Sequence, residues 1–153
     1  MKVAVGSDHA GFALKERVKR ELEALGHTVA DVGTSSGTES VDYPDFAIPV
    51  AERVAGGEAE RGVVVCATGI GASIAANKVN GVRASVVTSD ETARLTRQDN
   101  DSNVLALGGR TTANPEDAVR WLRIWLETPF AGGRHERRVK KIEDYENHHS
   151  EKR

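Results

Sequence analysis

Val63-Val64-Val65-Cys66-Ala67-Thr68-Gly69-Ile70-Gly71, residues 63–71, decides the fold. Three successive valines show no polar alternation. They predict a short strand buried on both faces, the mark of a parallel sheet covered by helices. The glycines that follow let the chain turn tightly, and Gly71 to Lys78 reads as the start of a helix. A strand running through a glycine turn into a helix is the repeating unit of α/β folds.

The same unit recurs on either side. Upstream, Val3-Ala4-Val5 is a strand ended by Gly6, and Leu14, Val18, Leu22 and Leu25 then recur at helical spacing up to Gly26. Thr28 to Val32 predicts a second strand. The turn-rich loop GTSSGTESVDYP, residues 33–44, leads into a helix marked by Phe46, Ala47, Val50, Ala51 and Val54 and closed by Gly56-Gly57. Downstream, Val82 to Val87 predicts a fourth strand, and Ser89-Asp90 caps a helix to about Gln98. Val104 to Leu107 is a fifth strand. Asn114 and Pro115 open a helix with Ala118, Leu122, Trp125 and Leu126 on its apolar stripe, and Trp121 and Trp125 share a face that reads as core. A last helix starts at about Arg134, after Gly132-Gly133, with little apolar face of its own. The expectation is one domain over residues 1–153, with about 147–153 a frayed tail. Its fold class is α/β: a Rossmann-like three-layer α/β/α sandwich with a five-stranded parallel sheet and a C-terminal helix.

Composition narrows the function classes. A net charge of -2 offers no general attraction to nucleic acid or an anionic membrane. No apolar run approaches the roughly 20 residues of a membrane span. Cys66 is the single cysteine, so no internal disulfide forms, and the reading is a cytoplasmic protein.

In such sheets ligands sit beyond the carboxyl ends of the strands. That rule selects Asp8-His9, Cys66 to Gly71, Ser89-Asp90 and Gly108 to Arg110. The loop Ala67 to Gly71 offers unpaired N–H groups at a helix start, suited to a phosphate, a carboxylate or a developing enediolate. The same setting favours the thiolate form of a cysteine. The competing reading is that Cys66 is a small buried hydrophobe. Asp8 is equally explained as a helix cap. Arg134 and Arg138, four apart, share a helix face and suit a phosphate, with Arg110 as a further donor. A dinucleotide loop fits less well: Gly69 and Gly71 match the first two glycines of GxGxxG, but Ile74 stands at the third. The histidines are scattered, apart from a pair in the tail, and none sits at metal-ligand spacing with Cys66.

Taken together and in order, GSDHAGFALK (6–15), VDYPDFA (41–47), CATGIGASIAANK (66–78), TRQDNDSNVLALGGR (96–110) and GGRHERR (132–138) resemble the type B ribose-5-phosphate isomerases and the related galactose-6-phosphate isomerase subunits. The resemblance covers essentially the whole chain. It implies a cofactor-free and metal-free aldose–ketose isomerase acting on a sugar phosphate. It also implies a homodimer or homotetramer whose active sites are shared between subunits. Cys66 would take the C2 proton. A minority branch places a glutamate where this chain has Ala72, so the cysteine form applies. Thr68 and the N–H groups of Ala67, Gly69, Ile70 and Gly71 would hold the enediolate. Asp8, Tyr43 and Asn100 would contact the sugar, and His9, Arg110, Arg134 and Arg138 the phosphate or adjacent oxygens.

The chemistry agrees. A proton alpha to a carbonyl is weakly acidic, and preorganised N–H donors that stabilise the enediolate contribute about 3–4 kcal/mol each. A thiolate against that carbon supplies general base catalysis.

One position departs from the pattern. Asp99 stands where the family's ring-opening histidine is expected. A carboxylate accepts the anomeric hydroxyl proton at neutral pH but does not readily donate one to the ring oxygen. Either Asp99 opens the ring alone, or another group such as His9 or a water assists, or the substrate needs no ring opening. Ribose 5-phosphate is the leading substrate. Erythrulose 4-phosphate and allose 6-phosphate are alternatives, and a non-catalytic nucleotide or sugar-phosphate binding module is the reading from another class.

Overall fold

The computed structural model describes residues 1–150; residues 151–153 and the Ser150 side chain lie outside the described residues. The elements in chain order are β1 (Lys2–Ser7), α1 (Phe12–Ala24), β2 (Thr28–Asp31), α2 (Pro44–Ala55), β3 (Arg61–Cys66), α3 (Ile70–Ala76), β4 (Ala84–Val86), α4 (Asp90–Gln98), β5 (Val104–Gly108), α5 (Pro115–Glu127) and α6 (Arg134–Ser150). All strand pairs are parallel, and the order is β2-β1-β3-β5-β4. The chain leaves β1 for β2 on one side and returns to β3 on the other. In such sheets ligands bind where the order reverses, which here is at the carboxyl tips of β1 and β3.

Side-chain alternation builds the two helical layers. Val3, Val5, Val63, Val65, Leu105 and Leu107 face α1, α4 and α5, packing on Leu14, Val18, Leu22, Trp121, Leu122 and Trp125. Ala4, Val64, Cys66, Val104 and Ala106 face the other way, onto Ala47, Val50, Ala51 and Val54 of α2 and Ala72, Ala75 and Ala76 of α3. Small residues dominate this second face, so α2 and α3 lie close to the sheet. Each buried Val or Leu contributes about 1.5–3 kcal/mol. Trp125, fully buried, donates its indole N–H to Ser102 Oγ at 2.9 Å.

Sequence signals set the helix ends. Ser89 and Thr92 form a reciprocal capping box at α4, and Asn114 Oδ1 accepts from the Glu116 N–H ahead of α5. The expected Val82 to Val87 strand is shorter, Ala84–Val86, because the Val82 N–H turns back to Val79 O. The expected tail from 147 is helical as far as Ser150. Helix α6 lies at the amino edge of the sheet. It is tied there by the buried Val139, by Glu143 to Arg83, and by Glu146 accepting from the Gly81 N–H. Ile142 and Tyr145 on α6 stay exposed. Among the described residues no helix is long and apolar enough to cross a membrane.

Candidate active site

Cys66 ends β3 on the face toward α2 and α3, and it is 4% exposed. It is not a plain hydrophobe, because Sγ accepts a hydrogen bond from the Gly69 N–H at 3.2 Å. Gly69 reaches that position in the left-handed region, at φ 80°. A side chain there would also meet the Leu107 main chain at 3.0 Å. Thr68 Oγ1 accepts from the Ile70 N–H at 3.1 Å, which holds the turn that starts α3. The loop is stitched to the tip of β5: the Gly109 N–H donates to Cys66 O at 2.8 Å and the Arg110 N–H to Ala67 O at 2.9 Å. Arg110 therefore emerges beside the loop, exposed.

The β1 tip lies alongside. The Asp8 N–H bonds Val65 O, and Asp8 Oδ1 accepts from the Gly11 N–H at 3.0 Å; Gly11 is itself the N-cap of α1 and has no side-chain cap, so Asp8 braces the turn before the helix and is not its cap. His9 Nδ1 accepts from the Val41 N–H at 3.2 Å. With that nitrogen accepting, neutral His9 carries its proton on Nε2, a donor suited to an anion. Tyr43, just before α2, lays its ring against Gly71: a Cβ on Gly71 would sit 2.6 Å from Tyr43 Cζ. Tyr43 itself is 39% exposed. Asp8, His9, Tyr43, Cys66 to Gly71 and Arg110 thus converge at the carboxyl edge.

The other predicted residues do not join them within one chain. Asp99 closes α4, and Asn100 follows it, before β5. Asn100 O accepts from Arg83 Nε, and nearby Asn103 O accepts from the Gly62 N–H at the start of β3. Both markers place this loop at the amino edge. Arg134 and Arg138 begin α6 at that same edge. They are exposed and make no hydrogen bond or ion pair among the described residues. The six residues of β3 separate the two edges by about 20 Å, at roughly 3.3 Å per residue. The predicted residues therefore fall into two groups at opposite edges of the sheet.

Asp99 has a partner that sequence reading missed. Its Oδ1 lies 3.4 Å from His135 Nε2. The signal was a histidine inside the GGRHERR stretch, beside Arg134, which was read only for its arginines. Among the described residues no group of three or more His, Cys, Asp or Glu could hold a metal ion.

The chain shares its sequence and fold with known proteins. A family model described as Ribose/Galactose Isomerase matches residues 3–142. Ribose-5-phosphate isomerase B of Escherichia coli is 47% identical over 141 residues, covering 92% of this chain and 93% of that protein. D-erythrulose-4-phosphate isomerase of Pectobacterium atrosepticum is 38% identical over 152 residues, covering 99% and 98%. The solved structure of Clostridium thermocellum ribose-5-phosphate isomerase B superposes with a TM-score of 0.94 at 48% identity, covering 97% of this chain and 99% of that one.

Proposed function

The chain belongs to the ribose/galactose isomerase family, a sugar-phosphate isomerase family, and from that premise we propose that it interconverts ribose 5-phosphate and ribulose 5-phosphate. The observation that carries this reading is the Cys66 sulfur held by the Gly69 N–H inside the glycine turn at the carboxyl tip of β3, beside β1.

The reaction moves one proton between neighbouring carbons. Cys66 Sγ takes the proton from C2 of the open aldose, and the electron pair flows into the carbonyl to give an enediolate. The Ala67 to Gly71 N–H groups other than those of Gly69 and Ile70, which bond Cys66 Sγ and Thr68 Oγ1, hold its oxygens together with the Thr68 hydroxyl, in place before charge develops. The thiol then returns the proton to C1. Asp8 and Tyr43 hold the sugar, and His9 Nε2–H and Arg110 bind phosphate or adjacent oxygens. Metal and organic cofactor have no part in this scheme.

The remaining groups come from a second copy. Asp99, Asn100, Arg134 and Arg138 of the partner subunit complete the site in a homodimer or homotetramer. The opposite placement of the half-sites supports this, since one chain cannot bring Arg138 to its own Cys66 without refolding. Exposed apolar side chains at Ile70 and Ile74 on α3, and at Ile142 and Tyr145 on α6, suit burial against such a copy. The enzyme works in the cytoplasm.

Asp99 favours a second reading, an isomerase of a substrate that cannot close into a furanose, such as erythrulose 4-phosphate. Initial rates on ribose 5-phosphate, ribulose 5-phosphate, erythrulose 4-phosphate and allose 6-phosphate separate the two. Ribose 5-phosphate turned over as fast as its ketose supports the first. Turnover confined to open-chain substrates supports the second. Tight binding without turnover of any of them indicates a binding module.

A further inference from the structure

Asp99 and His135 face each other at the amino edge, Oδ1 to Nε2 3.4 Å apart, with the histidine side chain 14% exposed and the aspartate 34%. Asp99 closes α4 and His135 is the second residue of α6, so two separate helices bring them together. The His135 main-chain N–H bonds Gly132 O, which holds this residue in the first turn of α6. His135 lies three residues before Arg138, on the same helix face. The pair therefore sits beside an arginine of the phosphate grip.

At 3.4 Å the two side chains are at ion-pair distance without hydrogen-bond geometry, and Nε2 is the ring nitrogen turned toward the carboxylate. An imidazole facing a carboxylate carries its proton on the nitrogen turned toward it. That is Nε2 here, and it leaves a lone pair on Nδ1, which has no hydrogen-bond partner among the described residues. A carboxylate that orients an imidazole whose other nitrogen is free is the arrangement of a positioned base. Asp99 on its own accepts a proton but has none to return to a ring oxygen.

We propose that His135, oriented by Asp99, opens the furanose ring of an aldose phosphate in the site completed by a second copy; this rests on the isomerase reading above. His135 Nδ1 of the partner subunit takes the proton of the C1 hydroxyl. The C1–O1 bond becomes a carbonyl as the C1–O4 bond breaks. The imidazolium returns the proton to O4, which becomes the C4 hydroxyl. One proton passes from O1 to O4, no electrons leave the sugar, and Asp99 remains a carboxylate as a positioning residue. The chain thereby accepts the cyclic aldose, although the expected histidine is missing from position 99.

The test compares ribose 5-phosphate, a ring, with ribulose 5-phosphate, an open chain, using His135→Asn, His135→Gln and Asp99→Asn beside the wild type. The ratio of the ribose rate to the ribulose rate falls by about 10²-fold or more for either His135 variant, the range of a lost acid–base group. Asp99→Asn lowers the same ratio by less. A ratio unchanged in all three variants overturns the proposal, whether the absolute rates hold or fall together. Folding is checked by circular dichroism, and Asp99→Asn carries the test if neither His135 variant folds. A wild type inactive on ribulose 5-phosphate sinks the isomerase reading itself, whatever His135 does.

Discussion

The Gly69 N–H donates to Cys66 Sγ across 3.2 Å, and this contact exists because Gly69 adopts a left-handed φ of 80°. An L side chain in that region is disfavoured by about 1–2 kcal/mol. At Gly69 it also meets the Leu107 main chain at 3.0 Å, which side-chain rotation does not relieve. Gly69→Ala is therefore expected to lower the urea midpoint by the equivalent of at least about 1–2 kcal/mol and to reduce kcat. Equilibrium unfolding and steady-state kinetics check the two effects.

Gly71 behaves differently, because its neighbour is the ring of a half-exposed tyrosine rather than backbone. Gly71→Ala pushes the Tyr43 ring outward. Stability is expected to change by less than about 0.5 kcal/mol, as at ordinary surface positions. The damage is expected to appear as a raised KM, since Tyr43 is proposed as a sugar contact. Melting curves beside kinetics distinguish this from a folding defect.

Lys15 is 1% exposed, and its ammonium donates to both Asp31 carboxylate oxygens at 2.9 Å and to Thr34 O at 2.7 Å. Partial burial of Asp31 pushes its carboxyl up, but hydrogen bonds from Lys15 and Lys19 outweigh this and hold it below the ordinary carboxylate value. A carboxyl depressed in the folded state contributes stability above its unfolded value, about 4, and that stability is lost as pH falls through the folded value. Lys15→Met is expected to destabilise by about 2–3 kcal/mol at neutral pH, the scale of a lost charged hydrogen bond. The variant should also lose less additional stability than the wild type between about pH 5 and pH 2. Urea unfolding across that range reads both.

The two half-sites predict complementation. Cys66→Ala and Arg138→Ala are each inactive alone if every site takes Cys66 from one copy and Arg138 from the other. In an equal mixture allowed to exchange subunits, half of the dimers are mixed, and each mixed dimer keeps one intact site of two. Activity should recover to about a quarter of the wild-type value. No recovery after verified exchange contradicts the shared site.

The strands and helices were legible because their signals are local: the Val63 to Val65 run, the Ser89 cap and the Asn114-Pro115 start all mark observed elements. The gathering of Asp8, His9 and Cys66 to Gly71 at the carboxyl edge was legible for the same reason, since these residues end a strand or follow one directly. Strand order was not. Nothing near Val104 tells that β5 inserts between β3 and β4, because that pairing depends on contacts distant in sequence. The split of the site follows from it: Asn100 and Arg110 flank one short strand and so lie at opposite edges. The Asp99–His135 pair was hidden for a related reason, as it joins the end of α4 to the start of α6.

The central claim is that Cys66 moves the proton between carbons. The most direct test is the rate of Cys66→Ala on ribulose 5-phosphate, a substrate that is already open, so ring opening does not intervene. Cys66 is small and ends a strand, so the variant is expected to fold and to bind the sugar phosphate. The account predicts a fall in kcat of about 10²–10⁴-fold, the range for a lost general base. A Cys66→Ala rate within about threefold of the wild type, far short of that range, contradicts it.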